Sequence, residues 1–196
     1  MNRHHIVALK DNTFPKINGE WLLVIDMQYA FASSKSPWFV PRFSQILPGI
    51  EKLVTSYESK VIIARYVPPT SATNHWKDYL AAFPTMNLPH DHAAWDTLLD
   101  CSESTIVETR TGFSKWDELI SKRIGPGAPI AICGVATECC VLSTVFSVIE
   151  TGRRVRVFED LCAGSSDDLH DKTFDILRSL NPAVEIANAI SESEQK

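Results

Sequence analysis

The sequence predicts an α/β fold built on a mainly parallel sheet, and two features carry that reading. Short, continuous apolar runs recur along the chain: WLLVID at 21–26, VIIARY at 61–66 and PIAICG at 129–134. Runs of this length without polar alternation suit strands buried on both faces. Longer amphipathic stretches separate them, and strands alternating with helices imply right-handed crossovers in a parallel sheet. The 196 residues make one domain, 1–196, with chain enough for a full core and too little for two.

The elements follow in order. After the strand at 21–26, Ile50, Leu53, Val54 and Tyr57 recur at helical spacing, which predicts a helix beginning after Pro48. Pro68-Pro69 stops the strand at 61–66. TIVE at 105–108 is a short strand, and 116–123 is helical until Gly125-Pro126-Gly127. The strand at 129–134 leads into a helix over 138–151, with Gly152 as its stop. RVRVFE at 154–159 alternates charged and apolar residues as an outer strand does. A helix over 172–180 and an edge strand over 184–187 complete the pattern. Residues 68–104 carry His75, Trp76, Tyr79, Phe83, His90, His92 and Trp95 with little periodicity. An insert of this kind is either a lid or a partner-contact region.

Composition excludes several partners. Lys plus Arg number 19 and Asp plus Glu 24, a net charge of −5, so nucleic acid finds no basic surface. No apolar stretch approaches the roughly 20 residues that span a bilayer. The opening segment has neither an apolar core nor a cleavage site, so no secretory leader is expected. The five cysteines follow no disulfide spacing, and adjacent Cys139 and Cys140 would pair only with strain. A cytoplasmic chain with reduced thiols is expected.

In parallel sheets ligands sit beyond the carboxyl ends of the strands. That directs attention to Asp26, to the turn after 105–108 and to the turn after Gly134. Asp26 ends an apolar strand, a position that serves equally as a turn residue. The stretch Gly134-Val135-Ala136-Thr137-Glu138-Cys139-Cys140-Val141 runs from a strand through a tight turn into a helix. A thiol in the first helical turn meets the positive end of the helix dipole, which lowers its pKa. Free N–H groups there can hold an oxyanion. Cys139 and Cys140 are equally readable as small packing residues. Arg110 and Lys115 place two cations beyond the third strand, where a cation favours a nearby thiolate unless both are solvated loop charges.

Together these three segments resemble the isochorismatase-like cysteine hydrolases, which include nicotinamidases, N-carbamoylsarcosine amidases and isochorismatases. The resemblance rests on Asp26-Met27-Gln28 with Phe31, on residues 134–141, and on the helix, glycine, strand and Asp160-to-Ser165 pattern that follows. It implies a three-layer α/β/α architecture with six strands and helices on both faces. It selects Cys140 as nucleophile and Asp26 as general base. It also implies oxyanion donors at Ala136 and Cys140, a cis peptide between Val135 and Ala136, and a homodimer or homotetramer.

Two departures stand out. The family's catalytic Lys opens a stretch whose register here is taken by Arg110, followed by Thr111-Gly112-Phe113-Ser114-Lys115-Trp116. Arg keeps the charge but cannot give up a proton. Arg110 is therefore expected as the electrostatic partner of Asp26 and Cys140, and Lys115 supplies an amine only if the loop folds back. The nicotinamidase branch carries metal-binding histidines after the second strand, where this chain reads Arg65-Tyr66-Val67-Pro68. His90-Asp91-His92 is read as solvent-facing, so neither a metal nor a cofactor is expected. Gln28, Phe31, Trp76 and Trp116 are expected around the pocket, with core packing the alternative for the aromatics. The function expected is hydrolysis of a small amide, carbamoyl or related C–N bond through a thioester. The rivals are a non-catalytic relative in which Arg110 has ended turnover, and an enol-ether hydrolase of the isochorismatase type.

Overall fold

A computed structural model describes residues 17–101 and 105–189. Six parallel strands form one sheet: β1 Trp21–Ile25, β2 Val61–Tyr66, β3 Ile106–Arg110, β4 Ile130–Val135, β5 Val155–Ala163 and β6 Val184–Ala187. Their order is β3-β2-β1-β4-β5-β6. The chain thus builds outward from β1 to one edge, returns, and builds from β4 to the other. The point where the direction reverses lies between β1 and β4, where α/β sheets place their ligands. The four central strands are almost wholly buried, as their apolar runs require.

Six α-helices accompany the strands: α1 Tyr29–Ala32, α2 Phe43–Tyr57, α3 Asn74–Ala82, α4 Glu118–Ile124, α5 Leu142–Ile149 and α6 Asp167–Ser179. Helix α2 starts earlier than predicted and contains Pro48. Its buried stripe is Phe43, Ile46, Ile50, Leu53 and Tyr57, a helical period that runs straight through the proline. Pro48 and Ser44 are both exposed, so the carbonyl left without a donor faces water and the break is cheap. Helix α4 begins after Trp116, because the Asp117 carboxylate caps it by accepting from Ile120 N–H. Ser166 caps α6 in the same way, which sets its start five residues before the predicted one.

Strand β5 corrects the outer-strand expectation, for it lies between β4 and β6. Its charged Arg156 is buried because Glu20 and Glu185 pair with it, so alternation there reports ion pairs and not solvent. The insert is more structured than its pattern suggested. It holds α3 and two 3-10 turns, and Trp95, Leu99 and Met86 are buried in the main core. Among the described residues no helix is long and apolar enough to cross a membrane.

At the switch point β1 and β4 approach so closely that one position admits no side chain. Gly134 pairs with Ile25 and has φ +118°, and a Cβ there would lie 2.1 Å from the Ile25 carbonyl oxygen. Gly134→Ala therefore combines backbone strain with overpacking against main chain, a loss of about 3–5 kcal/mol. Chemical denaturation checks this; a loss below 1 kcal/mol would show that the two strands can separate at this point.

Candidate active site

Asp26 leaves β1 with φ +52°, a left-handed conformation that Asp tolerates better than most residues. The turn is held by Asp26 N–H donating to Ala64 O and by Gln28 N–H donating to Asp26 O, both at 2.8 Å. It aims the carboxylate into the protein, where its side chain is fully buried. The cation that meets it is Lys115: Nζ lies 3.0 Å from Oδ2, and the lysine side chain is fully buried as well. Lys115 Nζ also donates to Gly112 O at 2.9 Å and Phe113 O at 3.3 Å.

Arg110 is not that partner, which corrects the sequence expectation. It ends β3, the edge strand, paired in register with Tyr66 of β2. Two strand spacings, about 10 Å, separate β3 from β1. Its guanidinium is instead held by Asp117 at 2.7 Å and Glu108 at 3.0 Å. The loop that follows does fold back. Lys115 N–H donates to Thr144 Oγ1 at 2.9 Å, and Ser114 and Ser147 hydroxyls meet at 2.9 Å. Both anchors lie on α5, so the loop carries its lysine over β2 to Asp26.

The nucleophile turn comes from the other side of the switch point. The Val135-Ala136 peptide is cis, as the resemblance implied. Residues Thr137–Val141 form a π turn continuous with α5, so the single helix expected from 138 onward opens with a wider winding. The N–H groups of Cys139 and Val141 donate to Ala136 O. The Thr144 hydroxyl donates to Cys140 O at 2.6 Å while accepting from Lys115 N–H. One threonine thus couples the nucleophile turn to the lysine loop. Below the turn, Thr137 Oγ1 and buried His170 Nδ1 are 3.0 Å apart, which pins the turn to α6. Neither Thr144 nor His170 carried a sequence signal.

Electrostatics at the site are those of a buried triad. Burial raises the Asp26 pKa above the usual carboxylate value, while Lys115 and the Cys140 hydrogen bond oppose it. Burial alone would lower Lys115, but the Asp26 charge and hydrogen bond oppose this, and its pKa is raised. A hydrogen bond with Cys139, together with burial, pushes the Cys140 thiol well above its ordinary value, against the pull of Lys115. Cys139 shifts down in return. The lowering of the thiol pKa expected from the helix start is thereby corrected: burial and the neighbouring Cys139 raise it instead.

Cys140 opens onto a cavity of about 250 Å³. Its walls are Phe31, Trp38, Tyr66, Tyr79, Phe83 and Phe113, with Ala136, Glu138, Cys139 and Ser165 around the thiol. Phe31 and Ala136 are where the sequence expected them. Gln28 is fully buried and holds chain segments together: its amide nitrogen donates to Tyr66 O and Trp95 O, and its oxygen accepts from Tyr66 N–H. Trp76 lies behind the wall, edge-on to Tyr79 and tilted against Phe113. Trp116 is buried under the Arg153 guanidinium, because the residue before it turns inward to Asp26. Trp38, which the sequence reading missed, packs on Phe31, Tyr66, Tyr79 and Phe83 and is the centre of the box.

Among the described residues no group of three His, Cys, Asp or Glu converges in a way that could hold a metal ion. The His90 ring bonds Pro68 O, His92 Nδ1 accepts from Ala94 N–H, and exposed His75 stacks on Trp76.

The buried pair gives a direct comparison of the two cations. Lys115→Met leaves a buried carboxylate without its partner and costs about 3–5 kcal/mol. Arg110→Met removes only pairs near the surface and costs about 1 kcal/mol. Thermal and denaturant unfolding of both variants measures the difference; equal losses would contradict the assignment of Lys115.

The described fold matches solved structures closely in shape and distantly in sequence. A cysteine hydrolase from Pseudomonas syringae is 17% identical with a TM-score of 0.76, over 92% of this chain and 95% of that one. A pyrazinamidase of Pyrococcus horikoshii, solved in complex with zinc, is 20% identical with a TM-score of 0.71, over 87% and 99%. A nicotinamidase/pyrazinamidase from Bacillus subtilis is 17% identical with a TM-score of 0.71, over 86% and 99%. No curated protein matches the chain. The family model of the Isochorismatase domain matches residues 20–189, which takes in every strand, the buried Asp26–Lys115 pair and the Cys140 turn: the chain belongs to the isochorismatase family.

Proposed function

We propose that the protein is a cysteine-dependent hydrolase of a small amide, carbamoyl or related C–N bond. The observation that carries this reading is the buried Asp26–Lys115 pair beside Cys140, which itself lines the cavity. Cys140 Sγ attacks the carbonyl carbon as its proton passes to Asp26, so the anion forms only during attack. Backbone N–H groups of Ala136 and Cys140 hold the developing oxyanion. Asp26 hands the proton to the leaving nitrogen, the C–N bond breaks, and an acyl thioester remains. Water then attacks with Asp26 as base, releasing the acid and restoring the thiol. Lys115 keeps Asp26 ionised and fixed in place through both half-reactions.

Two features weigh against the alternatives. A non-catalytic relative was suggested by Arg110 standing in the lysine register, and Lys115 fills that place from five residues further on. An isochorismatase-type reaction would bring a dicarboxylate into a cavity whose lining includes no Lys or Arg.

The test is turnover of a panel of primary amides, carbamoyl compounds and isochorismate. Hydrolysis of an amide or carbamoyl compound is expected, with Cys140→Ala and Asp26→Asn each lowering kcat by at least about 10³. Turnover of isochorismate alone, undiminished in Cys140→Ala, would replace this reading. The pH profile follows from the shift at Asp26. Its raised pKa means that the active carboxylate is lost as pH falls, so the acid limb of kcat/KM lies above the ordinary carboxylate value of 3.8. An acid limb at or below that value would contradict the role of Asp26 as base.

A further inference from the structure

The cavity also carries information about what the substrate bears beside its reacting bond. This step rests on the hydrolase reading but concerns recognition alone. Three residues of the wall hold buried polar atoms with no hydrogen-bond partner: Trp38 Nε1, Tyr66 OH and Glu138 Oε2. Each of these atoms is sealed from the cavity, so what a bound molecule meets is the rest of the side chain: two aromatic rings and a carboxylate. Tyr66 stays a neutral phenol, because burial pushes its pKa up.

The charge balance is equally one-sided. Asp26 and Lys115 are paired with one another. Glu138 accepts a hydrogen bond from Ser165 N–H at 3.0 Å, yet among the described residues no Lys or Arg forms an ion pair with it. Arg42, a cation at the start of α2, is engaged by Asp167. The remaining wall is aromatic, and aromatic faces attract cations and repel anions.

We infer that the site selects an amide whose non-reacting part is planar and bears a positive or N–H-donating group, with Glu138 as the counter-charge and the Trp38-centred box as its stacking surface. A carboxylate at that end meets Glu138 and the ring faces and is refused.

Three matched probes read this out by calorimetric binding to the Cys140→Ser chain, where no thioester forms: benzamide, 4-(aminomethyl)benzamide and 4-carboxybenzamide. The aminomethyl probe is expected to bind about tenfold tighter than benzamide, and the carboxy probe at least about tenfold weaker. Glu138→Gln, added to that chain, keeps an oxygen for Ser165 N–H but removes the charge. It is expected to erase the preference for the cation while changing benzamide affinity less than about threefold. Protection of Cys140 from alkylation by the same probes in the otherwise unaltered chain repeats the ranking without relying on either variant. Equal affinity for the three probes, no binding of any, or an equal shift for all on Glu138→Gln would each overturn the inference. Failure of hydrolysis would appear separately, as absent turnover with this ranking intact.

Discussion

A buried ion pair between Asp26 and Lys115 is the constraint on which the remaining architecture depends. Two charges removed from water are tolerated only when they are close and well hydrogen-bonded, and here the lysine has two backbone carbonyls besides its carboxylate. Meeting those conditions fixes the turn after β1, the return of the loop after β3, and the tether of that loop to α5. Because Thr144 joins the same loop to the carbonyl of Cys140, Cys140 is placed by the network that places Asp26. Stability and chemistry at this site are therefore hard to separate: most changes that disturb one disturb the other.

The pair also bears on the thiol. A thiolate next to an ionised carboxylate, both without water, would put two negative charges against one ammonium, and burial together with Cys139 raises the Cys140 pKa against the pull of Lys115. Helix-terminus stabilisation, on which the sequence argument leaned, is smaller than these terms at full burial.

Much of this was readable from the residues. Strands β1, β2 and β4 announced themselves as apolar runs, since a sheet covered on both faces allows little else there, whereas β3, β5 and β6 showed only as short or alternating stretches. Strand ends drew attention to Asp26 and to the Cys139-Cys140 turn, and the family resemblance then singled out Cys140, Phe31 and Ala136. Lys115 was less accessible, because sequence register describes a strand and its direct continuation, whereas this lysine reaches its partner through a loop that doubles back. Its position depends on Ser114 and Thr144, hydroxyl residues that could serve any surface equally well. The aromatic box was obscure for a similar reason. Trp38 lies in the segment between α1 and α2, and Tyr79 on a helix in the least patterned third of the chain; only tertiary packing shows that they share a wall. Trp76 and Trp116 carried the same composition signal and face elsewhere.

The central claim is that one sulfur, and not its neighbour, becomes covalently bonded to the acyl group. Intact-mass and peptide-level mass spectrometry after rapid acid quenching of the protein with an amide it turns over tests this directly. An acyl increment confined to Cys140, gained within the first turnover and discharged on longer incubation, is the predicted result. An increment on Cys139, or turnover with no covalent species at any time point while a slowed variant also accumulates none, would contradict it.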